Sequence, residues 1–307
     1  MSFLIALHGG AFESSREKFL LDSEKKIKLC IKNALKIGYN TLKQKEKGVD
    51  ALESVLAYLE DCSLFNAGKG SKPNENLEYE LEASIMNGLN LNFGTISLVK
   101  NIKNPIKAAK KLMDIYQNLI LVGNNADKFG KNNGLDIVQN NYFNINKYDL
   151  NEKNSLNDSP KYGTIGCVVL DQNKNLAAGV STGGISNKIG GRLGDASLIG
   201  AGIYANNSSC AISCTGKGEI FIKNCVAYDL HSRITYKNES LKKASNNIIN
   251  KLEKGSGGFI SLDKYGNLEM PFNTKGMVRG WVNEKGIAFI NLFKEKEDYT
   301  PNEYILE

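Results

Sequence analysis

Between Gln139 and Gly163 the chain is polar and aperiodic, running from Asn140-Asn141-Tyr142-Phe143-Asn144 to Asn157-Asp158-Ser159-Pro160. A stretch of this composition buries too little apolar surface to offset the entropy lost on ordering it, and alone it reads as a mobile linker. It ends abruptly against two segments of strand character, Thr164 to Leu170 and Leu176 to Thr182, joined by the polar turn Asp171-Gln172-Asn173-Lys174-Asn175. If Leu170 faces Leu176 across that turn, Thr164 falls opposite Thr182, and opposed residues share a face about 4.5 to 5.5 Å apart. Two hydroxyls then meet at the open end of a hairpin, where the linker arrives. A one-residue change in the turn would put Ser181 there instead, and a cross-strand threonine pair is also an ordinary sheet feature.

The rest of the chain frames that hairpin. Residues 3 to 7 read as a short buried strand ending at Gly9-Gly10. Residues 15 to 46 are charged and helix-favouring, with Ile27, Ile31, Ala34 and Leu35 at helical intervals. A second amphipathic helix follows Gly48, with the stripe Val49, Leu52, Val55, Leu56, Leu59, and stops at Cys62-Ser63 before the Gly-rich loop Leu64 to Ser71. Two strands around Asn87-Gly88 occupy 81 to 100, and a helix over 105 to 116 opens on Pro105. Short strands are predicted near 209 to 214 and 219 to 223, a long helix over about 227 to 253, then strands at 257 to 263 and 286 to 293. Strands and helices are grouped rather than alternating, which favours sheets covered by helices over a doubly wound parallel sheet.

The chain has 307 residues, 41% hydrophobic and 23% charged, enough for a substantial core and close to the composition of soluble globular proteins. No apolar run approaches a membrane span, and the first residues lack a basic leader, so the expected location is the cytoplasm. The net charge of +6 comes from scattered lysines, which suits a solvated surface better than a nucleic-acid partner. Six cysteines without a CxxC pair argue against thiolate zinc sites and a disulfide framework. With only two histidines, His8 and His231, a His-rich metal site is excluded, and a catalytic base in this chain is expected to be something other than histidine.

Further clusters carry chemistry. Gly190-Gly191-Arg192-Leu193-Gly194-Asp195 puts a cation and an anion three residues apart in a glycine-rich turn. An Arg fork can hold a carboxylate while Asp holds an ammonium, a clamp for a free amino acid, although a surface turn with a local ion pair reads the same way. Cys214-Thr215-Gly216-Lys217-Gly218 offers a hydroxyl and a close backbone N–H, the parts of an oxyanion hole or of an ordinary turn.

Taken in order, these segments resemble the plant-type asparaginases and isoaspartyl peptidases of the N-terminal-nucleophile hydrolases. The matching blocks include Leu7-His8-Gly9-Gly10-Ala11, Leu64 to Gly70, Leu81-Glu82-Ala83-Ser84-Ile85-Met86-Asn87-Gly88, Tyr162 to Gly166, Ala177 to Gly184, Gly191 to Asp195, Gly200 to Ala205, Thr215 to Glu219 and Pro271 to Met277. The resemblance implies an α+β fold, a four-layer αββα sandwich of two mainly antiparallel sheets covered by helices. It implies a single domain, 1 to 307, that cuts itself between Gly163 and Thr164 into an α subunit, 1 to 163, and a β subunit, 164 to 307. The linker, about 139 to 163, would form the end of the α subunit. A threonine hydroxyl is a poor nucleophile, but a new amino terminus supplies an amine of pKa about 7.7 to 8.0 to act as its base.

The resemblance assigns Thr164 as nucleophile and Thr182 as its orienting partner. Arg192 would bind the substrate α-carboxylate, Asp195 the α-ammonium, and Thr215 with the N–H of Gly216 the oxyanion, with Gly218 shaping the pocket. The implied substrates are L-asparagine and β-aspartyl dipeptides, with aspartate released. No cofactor is required. The segment with Leu59, Glu60, Cys62, Phe65, Ala67 and Lys69 resembles a loop whose backbone carbonyls hold a structural sodium, hard oxygens suited to a hard cation. A homodimer of αβ units is implied as well.

Gly163 and Gly183 stand where the glycosylasparaginase branch usually has Asp and Asn, which favours the isoaspartyl branch over a glycosylasparaginase-like amidohydrolase. Glu82 stands where many relatives have Asp. A rival from another class is a dinucleotide-binding protein, because Gly200-Ala201-Gly202-Ile203-Tyr204-Ala205 fits the G-x-G-x-x-G/A fingerprint; Asn206-Asn207-Ser208-Ser209 follows where a helix should open. Gly68-Lys69-Gly70-Ser71 lacks the spacing of a phosphate loop.

Overall fold

A computed structural model describes residues 3–18, 21–144, 163–294 and 303–305. The chain opens with β1 (Leu4–Phe12), α1 (Leu21–Lys43) and α2 (Gly48–Glu60), then β2 (Leu81–Asn87), β3 (Phe93–Val99), α3 (Pro105–Tyr116), β4 (Leu119–Val122) and α4 (Asn124–Asn132). After Gly163 come β5 (Ile165–Leu170), β6 (Leu176–Thr182), β7 (Ile203–Ala205), β8 (Cys210–Gly216), α5 (Gly218–Asn224), α6 (Val226–Lys237) and α7 (Leu241–Lys251). The strands β9 (Gly257–Asp263), β10 (Leu268–Glu269), β11 (Gly276–Asn283), β12 (Ile287–Phe293) and β13 (Glu303–Ile305) complete it.

Two sheets pack face to face. The larger runs β13-β12-β11-β1-β5-β6-β2-β3-β4, and the smaller β10-β9-β8-β7. All pairings are antiparallel except β3 with β4. One core, with Ile31, Leu35, Leu52, Leu56 and Leu112 from α1 to α3, covers the outer face of the large sheet. A second, with Ala6, Val168, Val180, Ile260 and Leu262, fills the space between the sheets, and a third packs Phe221, Leu230 and Ile248 on the outer face of the small sheet. The order is therefore helix, sheet, sheet, helix, the expected four-layer αββα sandwich. In β5 Ile165, Cys167 and Val169 face the helices while Val168 and Leu170 face the second sheet, so all six residues are buried. A strand covered on both faces carries no polar alternation.

Several elements differ from the sequence reading. The first strand continues through Gly9-Gly10 to Phe12, with a bulge between His8 and Ala11. Residues 219 to 223 form helix α5, not a strand: the buried positions there are Gly218 and Phe221, three apart, as on one turn of helix. The long helix over 227 to 253 is two helices, broken where Asn238 takes a left-handed conformation (φ 53°) and Ser240 accepts the Lys243 N–H at 3.3 Å. The mobile linker expected over 139 to 163 lies outside the described residues from 145 to 162. Its first residues are structured: Asn140–Phe143 form a 3-10 turn with Phe143 fully buried. The Asn140 amide bonds both the N–H and the carbonyl of Tyr79, at 3.0 and 2.8 Å.

Gly200 to Ala205 leads into β7 and a turn rather than opening a helix, which removes the dinucleotide reading. Among the described residues no helix is long and apolar enough to cross a membrane.

Candidate active site

The hairpin has the register in which Leu170 faces Leu176 and Ile165 faces Ser181. Thr164 accordingly meets Thr182, and its hydroxyl donates to Thr182 Oγ1 at 3.0 Å. Thr182, itself buried, also accepts the Gly184 N–H at 3.0 Å. Both strands lie in the middle of the large sheet, with Thr164 directly before β5 and Thr182 at the end of β6.

A residue noted in the sequence for its rarity and its place in a matching block supports Thr164 from behind. His8 of β1 pairs with Gly166 of β5, and its Nδ1 lies 3.0 Å from the carbonyl oxygen of Thr164 while Nε2 lies 3.0 Å from Ser213 Oγ. Complete burial pulls the imidazole pKa down to about 3, against the opposing bond to Thr164, so the ring is neutral. A neutral ring satisfies both partners if Nδ1–H donates to the carbonyl and Nε2 accepts from the Ser213 hydroxyl. The only sequence signal for this role is the position of His8 before Gly9-Gly10.

Gly163 lies in a backbone cradle. Its carbonyl accepts the Asn66 N–H at 3.3 Å. Gly10 has φ 103°, and a Cβ there would run into the backbone nitrogen and Cα of Gly163, so only glycine lets these segments approach. Asn66 joins the Gly-rich loop to the hairpin end: its carbonyl accepts the Gly183 N–H at 2.9 Å, its side chain donates to the Gly184 carbonyl, and its Oδ1 accepts Lys72 N at 2.8 Å. The sequence reading carried Asn66 within a matching block but not as a site residue. Thr215 Oγ1 accepts the Ala11 N–H at 3.2 Å, which leaves its own proton available to a third partner. A cleft of about 270 Å³ opens here, lined among others by Ala11, Asn66, Gly163, Thr164, Thr215 and Gly216.

Arg192 and Asp195 do not line this cleft; they stand beside it, around the start of α5. Asp195 begins a buried 3-10 turn, Asp195–Ser197. Its carboxylate fits between Gly202 and Gly218, where a Cβ at either would stand 2.8 Å from one of its oxygens. Gly202, read in sequence as part of a fingerprint, is thus explained by Asp195. Burial, and next the neighbouring Glu82 carboxylate, push the Asp195 pKa up to about 7, against the pull of Arg192. Nε and Nη2 of Arg192 both donate to Glu219 Oε1, at 2.9 and 2.7 Å. A Cβ on Gly218 would lie 3.0 Å from Arg192 Nη2, so this glycine stands between both members of the pair.

The segment after α2 is tightly folded. Leu59, Glu60, Phe65 and Ala67 are fully buried, Cys62 and Lys69 partly so. The carbonyls of Leu59 and Ala67 accept the N–H groups of Cys62 and Gly70, both at 3.2 Å, and Gly68 leaves space against the carbonyl of Glu60 that a Cβ would fill. The Glu60 side chain turns to the sheet, where Oε1 accepts Ser181 Oγ–H at 2.6 Å and Ile106 N–H at 3.0 Å. Burial, opposed by these hydrogen bonds, raises its pKa to about 8. Among the described residues no group of three His, Cys, Asp or Glu could hold a metal ion.

A four-layer αββα sandwich with a threonine hydroxyl at the head of a central strand defines a hydrolase of the N-terminal-nucleophile class. The asparaginase family profile matches residues 1–291. The chain is 36% identical to an isoaspartyl peptidase of Escherichia coli (strain K12), over 96% of this chain and 97% of the relative. It is 38% identical to a putative isoaspartyl peptidase/L-asparaginase of Dictyostelium discoideum (91% and 93% covered), and 34% identical to a probable isoaspartyl peptidase/L-asparaginase 2 of Arabidopsis thaliana (94% and 98%). The chain belongs to the asparaginase family.

Proposed function

We propose that this chain is a self-cleaving threonine hydrolase that splits β-aspartyl dipeptides and L-asparagine and releases L-aspartate. The observation that carries this reading is the 3.0 Å bond from Thr164 Oγ1 to Thr182, made beside a Gly163 carbonyl already held by Asn66 N–H. In maturation Thr164 Oγ attacks the carbonyl carbon of Gly163. The Gly163–Thr164 amide breaks, an ester forms and the Thr164 amine is freed. Water then hydrolyses the ester, leaving Gly163 with a carboxylate.

In turnover the freed amine takes the proton from Thr164 Oγ as that oxygen attacks the side-chain amide carbon of the substrate. The proton passes to the leaving nitrogen, which departs as ammonia or an amine, and water cleaves the β-aspartyl ester. Thr215 Oγ–H and the N–H of Gly216 would stabilise the oxyanion, contacts worth about 10²- to 10³-fold in kcat for one donor. The substrate carboxylate would exchange with Glu219 on the Arg192 fork, and its ammonium would pair with Asp195 beside Gly218. One clamp serves both substrates, since each presents the same free amine and carboxylate. The backbone carbonyls of Leu59, Glu60, Cys62, Phe65, Ala67 and Lys69 would hold a sodium ion, which would stiffen the loop that carries Asn66.

Intact mass spectrometry beside ammonia-release and β-Asp-Leu cleavage assays on one sample tests the reading. Two species, the second beginning Thr-Ile-Gly-Cys, together with activity on either substrate are expected. A single uncut chain that is fully active, or a cut chain inert towards both substrates, overturns it.

A further inference from the structure

Beneath the turn that carries Asp195 lies a carboxylate that the proposed reaction leaves unused. Glu82 of β2 is fully buried and faces Thr182 in the register of β2 with β6. Its oxygens accept the Gly194 N–H, at 3.2 and 3.1 Å, and Ser197 Oγ–H at 2.5 Å. These two donors bracket Asp195 in sequence, so one buried side chain grips the turn on both sides of it. Without Glu82 the buried Gly194 N–H would lose its partner and Ser197 Oγ would keep only Ser97 Oγ, 2.7 Å away, which the surroundings would resist by shifting the turn.

The charges around the pair are specific. Lys188 and Arg192 face Glu82 with opposite sign, and Lys188, itself buried, is tethered by Nζ to the Glu80 carbonyl at 2.8 Å. Asp195 faces Glu82 and Glu219 with like charge, Arg192 with opposite charge and the buried Cys214 thiol. Burial pushes the Glu82 carboxyl up, with Ser197, Lys188, Gly194 and Arg192 opposing. Two adjoining buried carboxyls titrate as a pair rather than singly.

We propose that Glu82 is the positioning residue of the amine-recognising carboxylate: by holding Gly194 N–H and Ser197 Oγ–H it aims Asp195, and it places a like charge beside it. The inference rests on the assignment of Asp195 to the substrate ammonium. It follows that Glu82 controls discrimination between ligands with and without an α-ammonium, and the pH at which that discrimination is lost.

The test uses matured enzyme and two competitive inhibitors of asparagine hydrolysis, L-aspartate and succinate, which differ only in the ammonium. The ratio of their inhibition constants is measured from pH 5 to 9. In the wild type the preference for L-aspartate should collapse as pH falls through about 7, where Asp195 gains its proton. Glu82→Gln removes the like charge, so the collapse should move to lower pH by roughly half a pH unit or more. Glu82→Asp keeps the charge but shortens the reach, so the midpoint should stay while the preference drops roughly three- to tenfold.

Equal weakening towards both inhibitors, or a wild-type ratio and midpoint in Glu82→Gln, overturns the proposal. Should Glu82→Gln fail to mature, Glu82→Asp decides alone: equal losses on both inhibitors refute the positioning role. A wild-type enzyme that never distinguishes L-aspartate from succinate refutes instead the assignment of Asp195.

Discussion

Thr164 and Asp195 are held in place by different means. Thr164 and Thr182 are set by the ladder between β5 and β6, in the centre of a nine-stranded sheet and with cores on both faces. Asp195 lies on a short turn after a glycine-rich loop and is fixed by a buried carboxylate and by the space that Gly202 and Gly218 leave. Backbone pairing and apolar packing are indifferent to pH, whereas a turn fixed by buried carboxyls is not. With the proposed roles, attack geometry would stay constant over a pH range in which amine recognition by Asp195 is gained or lost.

Substitutions can break or sharpen this contrast. The largest effect is expected from Thr164→Ala, which should leave the chain uncut and lower ammonia release at least about 10³-fold, with the fold unchanged by circular dichroism. Gly10→Ala should come next. Its methyl would meet the backbone of Gly163 at φ 103°, with strain of about 1 to 3 kcal/mol, and gel electrophoresis should show much slower cleavage. Arg192→Ala should cleave normally but raise KM about 10- to 100-fold, the equivalent of roughly 1.5 to 3 kcal/mol for a charged hydrogen bond. A fall in kcat with unchanged KM would place Arg192 in the attack geometry instead.

The smallest effect concerns the carboxyl beside the hairpin. Glu60 keeps its proton up to about pH 8 in the folded chain, against an ordinary value of 4.5. Between these values the folded state binds the extra proton, so this stabilisation is present at low pH and lost as pH rises through 8. Glu60→Gln cannot ionise and retains an acceptor for Ser181 and Ile106. Its Tm should match the wild type near pH 4 and exceed it at pH 9 by about 2 °C or more, by scanning calorimetry.

The attack geometry was legible in the sequence to within one residue because strand register is arithmetic: a five-residue turn Asp171–Asn175 with Leu170 facing Leu176 puts Thr164 against Thr182, a slip of one would have put Ser181 there, and the ladder takes the first register. Pro105 marked its helix start for an equally local reason. Tertiary choices were not legible. Ile220, Phe221 and Ile222 carry strand-forming side chains, yet the segment is a helix whose Phe221 fills the outer core. Asn238-Glu239-Ser240 fell inside the predicted long helix and is a break, because Asn238 takes φ 53° and Ser240 caps the next helix. Phe143 sat in a polar run but has a pocket beside Tyr79, at 6.2 Å between rings. Glu82, His8 and Asn66 stood in matching blocks without a role of their own, because their partners come from distant segments, as with Glu82 and Ser197, His8 and Thr164, and Asn66 and Gly163.

The strand order has one more consequence. Strands from before and after residue 163 are interleaved in the large sheet: β1 lies between β11 and β5, and β2 is bonded to β6. A scission ahead of Thr164 would therefore yield two polypeptides stitched together by three antiparallel seams rather than two pieces free to part. Unravelling such a molecule would separate halves that can regain their seams only by a second-order encounter. Its durability after scission would then be a matter of how slowly the seams open, with a lifetime in place of a reversible melting equilibrium.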